Sequence, residues 1–446
     1  MSAIEGATEL LHRCYRAAVA AVQPATALWA PLRAAPASPE PCWLISVGKA
    51  AYGMTTAITD WLYETQRHPA GGVVVSPGPD PGARLERARV MDRRPGGTAS
   101  DPARTSLRFI NGDHPIPRDN SARAAAAIAE VVRKIPRHAE VHVAISGGAS
   151  ALIAGPLVGL TMADVTSTFE LLLTSGLDIH AMNAVRKRIT RWSAGRLALA
   201  LAERRVHVWV VSDVPGDDLS SIASGPCSGD PWTTDAVRRL LTDSGLIDRL
   251  SPSVRTAVTH ETPKPGDPGL AAINPQIVAN NRIALTAAAD SARQSGVTAR
   301  VMRDPLTGDA AAMGRRIANA MRAASGSPPQ VLLWGGETTV TIAGTSGMGG
   351  RSQELALAAA QVLHETQTGG VLLAAGTDGR DGPTDAAGAL VRSDTWQRMT
   401  DAGRDPAADL SHHDAYPALD AAQALVRTGT TGTNVMDIAV AVTGVR

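Results

Sequence analysis

Several short apolar runs in this chain end in residues that can handle an anion. Residues 44–47 lead into Gly48-Lys49, residues 141–145 into Ser146-Gly147-Gly148-Ala149-Ser150, and residues 206–211 into Ser212-Asp213, with Asp217 and Asp218 close behind. Residues 331–334 lead to Gly335-Gly336-Glu337, and residues 371–375 to Gly376-Thr377-Asp378-Gly379-Arg380-Asp381. The stretch SGMGGRSQELALAAA, 346–360, sets Gly347, Gly349 and Gly350 before Arg351 and a helical pattern. Glycine turns expose backbone N–H groups to phosphate or carboxylate, and a helix start adds its dipole. Lys49 and Arg351 supply positive charge, while carboxylates can hold Mg²⁺ or accept a hydroxyl proton. Together these are the parts for phosphoryl transfer.

Each part also has a plainer reading. Asp213 can be a cap, Asp378, Asp381 and Asp385 can form Asx turns, and the glycines can merely satisfy backbone geometry. His114 and His180 have no triad partners in sequence and read as structural. Arg186, Lys187, Arg188 and Arg191 read mostly as a solvated helix face. The familiar nucleotide fingerprints do not occur: Gly48-Lys49 has no glycine five residues earlier, and no G-x-G-x-x-G follows a strand. Kinase H-R-D and D-F-G motifs and a G-x-S-x-G elbow are not found either.

The elements that must position these groups alternate between β-type runs and helical patterns, which predicts an α/β chain with largely parallel sheets. Ligands then bind beyond the carboxyl ends of the strands. With 446 residues, two lobes are expected. The pattern places them at 1–250 and 280–446, with the Pro- and Gly-rich segment 251–279 as linker. It also predicts one helix over 182–204, a strand at 339–342 and an exposed excursion over 76–104. With only two Phe and four Tyr, the core must be built from Ala, Val, Leu and Ile. A net charge of +1 and few aromatic residues give no case for nucleic acid. Cys14, Cys42 and Cys227 form no metal-type pair or disulfide framework, which fits a reducing cytoplasm. Residues 1–23 read as an amphipathic helix, and no apolar stretch is long enough for a membrane span.

The ordered motifs VGKAAYGM (47–54), GDHPIPRDNS (112–121), SGGASAL (146–152), MNAVRKR (182–188), SDVPGDDLSSIASGP (212–226), GGETTVTI (335–342), GMGGRSQELAL (347–357), GTDGRDGPTDAAGA (376–389) and GTNVMDIAV (432–440) resemble the glycerate 2-kinase family over nearly the whole chain. Some members of that family carry the name hydroxypyruvate reductase. The resemblance implies an N-terminal Rossmann-like parallel sheet, a smaller C-terminal α/β lobe and an active site in the cleft between them. It implies a cytoplasmic enzyme that uses ATP and Mg²⁺ to phosphorylate the 2-hydroxyl of D-glycerate, and it leaves room for a homodimer. Lys49, Asp213 and Arg351 match its catalytic positions. Ser146, Gly147, Gly148, Ser150, Gly336, Glu337, Gly349, Gly350 and Asn434 fall on its substrate- and phosphate-binding motifs. Asp213, Asp378 and Asp437 are the carboxylates it offers to Mg²⁺, with base and ligand roles left open between them. Departures at Pro215, Cys227, Ser352 and Met436 bear on which hydroxy-acid is the acceptor. An NAD(P)H-linked hydroxypyruvate reductase is the rival reading, and the missing G-x-G-x-x-G speaks against it.

Overall fold

The computed structural model describes residues 3–35, 38–78, 107–342, 344 and 347–445. The chain forms two units: Ala27–Val278, and Met1–Thr26 together with Ala279–Arg446. Six strands build the first unit: β1 (Cys42–Val47), β2 (Pro69–Pro77), β3 (Leu107–Gly112), β4 (Glu140–Ile145), β5 (Arg205–Val211) and β6 (Pro275–Ala279). Their order is β3-β2-β1-β4-β5-β6, and the pairings from β3 through β5 are parallel. This is the doubly wound order expected of a Rossmann-like sheet. The central strand β4 is buried along its whole length, as a strand covered on both faces must be.

Six strands also build the second unit: β7 (Thr298–Val301), β8 (Gln330–Gly336), β9 (Val371–Gly376), β10 (Gly388–Arg392), β11 (Leu425–Val426) and β12 (Asp437–Thr443). Their order is β11-β10-β9-β12-β8-β7. Only β7 pairs with β8 in parallel, whereas β8-β12, β12-β9, β9-β10 and β10-β11 are antiparallel. The expectation of largely parallel sheets therefore holds for the first unit and fails for the second. The two are called below the parallel unit and the mixed unit. Small side chains make up for scarce aromatics in the mixed unit. Leu355 to Ala360 of the helix Arg351–Glu365 are all buried. Gly314 lets the helix Ala310–Ala324 approach so closely that a Cβ there would lie 2.1 Å from Leu355 O.

The domain boundaries differ from those the sequence suggests. The first helix, Ala3–Ala21, belongs to the mixed unit, because its apolar face of Leu10, Leu11, Cys14, Tyr15 and Ala18 is buried there. Tyr15 Oη donates to Gly376 O at 2.7 Å, and Thr433 Oγ1 donates to Val22 O at 2.7 Å. Residues 251–279 are no linker: they hold the helix Pro252–Ala257 and the sheet strand β6. Residues 182–204 do not form one helix. The helix Ile179–Arg186 ends there, and a second begins at Arg196 after Gly195 turns at φ +77°. Residues 339–342 contribute a single bridge from Thr339 to Asp309 rather than a strand. Most of the excursion at 76–104 lies outside the described residues. Among the described residues, no helix is long and apolar enough to cross a membrane.

Candidate functional site

In the parallel unit the strand order reverses between β1 and β4, so the turns beyond these strands flank the crevice of the sheet. Gly48 adopts φ +118°, and a Cβ on it would lie 2.3 Å from Ser146 Oγ. Glycine alone lets the two turns pass. They are then tied together: Lys49 N donates to Gly147 O at 2.9 Å, and Ala50 N donates to Ser146 Oγ at 2.9 Å. The Ser146 hydroxyl is thus a strut between turns, already occupied. Gly147 admits Asp213 from the end of β5, since a Cβ there would lie 1.6 Å from Asp213 Oδ2. Gly148, at φ +82°, faces the His114 ring and the Lys49 stem, both within 3.3 Å of its Cβ position.

This turn is open. The backbone N–H groups of Gly147, Gly148, Ala149 and Ser150 meet no acceptor among the described residues. Ser150 Oγ pairs with Ser224 Oγ at 2.8 Å. Lys49 is exposed and makes no ion pair among the described residues. Burial raises the pKa of Asp213, and Lys49 pulls it back. His114, read from sequence as structural, stands in this cluster. Desolvation of its ring, then the charges of Lys49 and Arg186, push its pKa down to about 4, so it is neutral at pH 7.

The mixed unit is arranged the other way. Arg351 opens the helix Arg351–Glu365. Its Nε donates to Asp437 Oδ2 at 2.5 Å, its Nη2 donates to Asp437 Oδ1 at 3.2 Å, and its Nη1 pairs with Glu337. The first N–H groups of the helix are also taken. Ser352 N donates to Asp381 Oδ1 at 3.1 Å and Gln353 N to Asp381 Oδ2 at 2.7 Å. The glycines admit these carboxylates. A Cβ on Gly350 would lie 2.4 Å from Asp381 Oδ1, and one on Gly347 2.4 Å from Asp414 Oδ1. Gly349 packs on Ala415. The anion cradle expected at Gly349, Gly350 and Arg351 is therefore filled by carboxylates of the chain itself. Ser346 lies outside the described residues.

Acids outnumber cations around Arg351. The Oδ1 atoms of Asp378 and Asp437 lie 3.1 and 3.3 Å from the Cβ position of Gly376, so two carboxylates converge over the end of β9. Burial, then the charge of Asp437, push Asp381 up to about 7. Burial also raises Asp437, with Arg351 opposing. Burial works against the charge of Arg351, yet Asp437 and Glu337 hold its pKa well above the usual arginine value. Two expected binding residues shape turns instead. Asn434 Oδ1 accepts from Met436 N at 3.1 Å, and Gly336, at φ +139°, passes 2.4 Å from Leu306 O at its Cβ position. Of the three carboxylates expected at Mg²⁺, Asp213 belongs to the parallel unit, Asp378 and Asp437 to the mixed unit.

A second cluster sits near the opposite ends of β1, β4 and β5. The side chains of Cys42, Glu140 and His142 are buried and close enough for a metal. Trp209 Nε1 donates to His142 Nδ1 at 2.9 Å, so His142 Nε2 carries the proton and donates to Glu140 at 3.2 Å. Arg67 pairs with the same carboxylate. These contacts close a structural network with no free ligand atom on His142 and a cation already in place.

Known proteins share both units. A family model described as a domain of unknown function (DUF4147) matches residues 10–259, and the MOFRL family model matches residues 330–437. A Thermotoga maritima protein named D-glycerate 2-kinase is 34% identical over 400 residues, 89% of each chain. The crystal structure of a glycerate kinase from Thermotoga maritima superposes with a TM-score of 0.83 at 32% identity, covering 98% of this chain and all of that one. The chain belongs to the glycerate 2-kinase family. An Agrobacterium vitis protein provisionally named hydroxypyruvate reductase is 36% identical over 97% of this chain and 93% of its own.

Against the family's motifs, the structure brings Lys49, Gly147, Gly148, Ser150 and Asp213 together in the parallel unit. It gathers Glu337, Arg351, Asp378 and Asp437 in the mixed unit. Sequence reasoning missed three members of these clusters: His114, Asp381 and Arg186. The last reads as one of four solvated charges, yet Arg186, Lys187 and Arg188 are all buried. A usable signal was Asn183, one helical turn before Arg186, whose Oδ1 accepts from Arg186 Nη1 at 3.3 Å.

Proposed function

We propose that the protein is a kinase that transfers the γ-phosphoryl group of ATP to the 2-hydroxyl of D-glycerate, with Mg²⁺. The observation that carries this reading is the open glycine turn 147–150 beside Lys49 and Asp213, an anion-receiving site with a carboxylate at its edge. In the reaction the substrate's 2-oxygen attacks the γ-phosphorus, the bond from phosphorus to the ADP oxygen breaks, and the hydroxyl proton passes to a base. Asp213 is the residue assigned to accept that proton, because burial raises its basicity while the neighbouring Lys49 favours its charged form. Lys49 and the free N–H groups of 147–150 hold anionic oxygens in place, so positioning and electrostatics supply most of the acceleration.

The donor set of the mixed unit suits Mg²⁺: hard carboxylate oxygens converge over Gly376 where acids exceed cations. Asp378 and Asp437 would hold the ion, which when bound neutralises phosphate charge. Arg351 is assigned to the phosphates as well, held in position by Asp437 and Glu337. The buried, unpaired cysteines fit a reducing, cytoplasmic setting.

An ADP-release assay with D-glycerate, L-glycerate, tartronate, erythronate and threonate tests the reading, with the phosphate position fixed by NMR. D-Glycerate is expected to be the best acceptor, giving 2-phosphoglycerate. Phosphate on the 3-hydroxyl overturns the assignment. Direct oxidation of NADH by hydroxypyruvate at 340 nm would favour the reductase instead.

A further inference from the structure

The run Arg186-Lys187-Arg188 divides its charges unequally. Lys187 Nζ lies 3.1 Å from Asp230 Oδ1 and Arg188 Nη1 lies 2.9 Å from Asp230 Oδ2. Thr262 donates to the same carboxylate at 2.8 Å. Arg186 is also buried, 7% exposed, but it makes no ion pair among the described residues. Its side chain has one hydrogen bond, to Asn183, and its guanidinium carbon stacks 4.6 Å from the centre of the Phe169 ring. Its Nε is enclosed without an acceptor. Most of its five N–H donors thus have no protein partner among the described residues. A guanidinium does not escape burial by losing its proton: burial lowers Arg186 only to about 10. A charge left in this state is costly unless something pairs with it.

The surroundings say where that partner enters. Asn183 Oδ1, which holds Arg186, also accepts from Ser224 Oγ at 3.3 Å. Ser224 in turn pairs with Ser150 at the end of the open turn. Ala223 and Ser224 both sit at positive φ, 56° and 60°, a strained stretch that sets this hydroxyl in place. Arg186 and Lys49 both act electrostatically on His114, which faces Gly148. The unpaired guanidinium therefore belongs to the neighbourhood of Lys49, His114 and residues 147–150.

We infer that Arg186 receives the carboxylate of the acceptor hydroxy-acid, the Nη donors that Asn183 leaves free meeting its two oxygens, with Asn183 and Phe169 holding the fork in place. The inference rests on the kinase reading above. Planar, two-point donation is the geometry by which arginine recognises a carboxylate. It makes Arg186 the residue that selects a hydroxy-acid over an uncharged polyol: glycerol offers no anion and leaves the guanidinium unpaired.

The test compares Arg186→Gln and Arg186→Lys with wild type, reading KM for D-glycerate and for ATP, and calorimetric binding of D-glycerate without nucleotide. Arg186→Gln should raise KM for D-glycerate about a hundredfold or more and abolish measurable binding. Arg186→Lys should raise KM about tenfold, with KM for ATP within about twofold in both. The preference for D-glycerate over glycerol should collapse in Arg186→Gln. An unchanged KM for D-glycerate overturns the inference, and so does an equal rise confined to ATP, which would assign Arg186 to phosphate. If Arg186→Gln does not fold, Asn183→Ala carries the test: it keeps the charge but frees the fork. It should raise KM for D-glycerate severalfold and leave KM for ATP unmoved; no change overturns the inference. A wild-type protein that phosphorylates no hydroxy-acid overturns the kinase reading itself. Activity with an unchanged KM in Arg186→Gln overturns only the role of Arg186.

Discussion

The two units meet the same problem, a glycine turn at a strand end, with opposite charge. In the parallel unit the turn 147–150 leaves its N–H groups open, and neither Lys49 nor Arg186 makes an ion pair among the described residues. In the mixed unit the turn before Arg351 is closed: Asp381 takes the helix N–H groups, and Asp437 and Glu337 take the arginine. One region has surplus donors and suits an anion. The other has surplus carboxylates and suits a cation. A glycine-rich loop followed by an arginine is therefore not by itself an anion site. What decides is whether the chain supplies its own carboxylate from elsewhere, and residues 378–381 and 437 do so here.

This contrast predicts different failures. Lys49→Ala should lower kcat/KM by at least about a hundredfold, roughly 2.7 kcal/mol of transition-state stabilisation. Its Tm should stay within about a degree of wild type, because an exposed lysine without an ion pair contributes little to stability. Gly147→Ala, whose methyl would meet Asp213, should follow at tenfold or more. Arg351→Ala should also lose at least about a hundredfold in kcat/KM, but with a loss of folding stability near 2 kcal/mol, between the values for exposed and buried pairs. Urea titration of the two variants separates the cases. Equal stability in both would erase the distinction between an open and a closed turn.

How much of this was legible follows from the range of the interactions involved. Strands β1, β2, β4, β5, β8 and β9 show as short apolar runs because burial on both faces removes alternation, and the turns beyond β1, β4 and β5 carry Lys49, Gly147 and Asp213 in plain view, whereas the more exposed β3 and β7 leave no such run. The pairing of Asp381 with Ser352 and Gln353 spans about thirty residues, and that of Arg351 with Asp437 spans 86. No local pattern announces either. The same holds for the first helix, whose apolar stripe is obvious while its partner, the helix Asn281–Gln294, lies far along the chain. Arg186 was hidden differently. Four basic residues within 186–191 look solvated until Asp230 is seen to neutralise two of them. The antiparallel pairing of β12 between β8 and β9 is likewise a tertiary choice.

The closed turn should also show in the pH dependence of stability. Asp381 titrates near 7 when folded, against an ordinary value near 3.8. The folded state then binds a proton that the unfolded state has released between about pH 4 and pH 7. Stability from this group is complete below pH 4 and is lost as pH rises through 7. Asp381→Asn, neutral throughout, removes that slope. Relative to the variant, wild type should lose about 2 kcal/mol between pH 5 and pH 8, read from urea midpoints. A difference that stays flat between pH 5 and pH 8 would mean that Asp381 is already charged at pH 5, and the closed turn would then hold a full anion.

The smallest effect isolates the glycine itself. Gly350 is the N-cap of the helix Arg351–Glu365 and has extended backbone, φ −142°, so alanine meets no conformational strain there. Its methyl would instead press on Asp381 Oδ1, 2.4 Å away, and displace the carboxylate from the N–H groups of Ser352 and Gln353. Losing a helix cap costs about 1 kcal/mol. Gly350→Ala should therefore shift the urea midpoint by that amount and lower kcat/KM less than Arg351→Ala does, because the pair with Asp437 survives. Were the turn an anion cradle, the order would reverse: the same methyl would cut activity as deeply as Arg351→Ala while leaving stability alone.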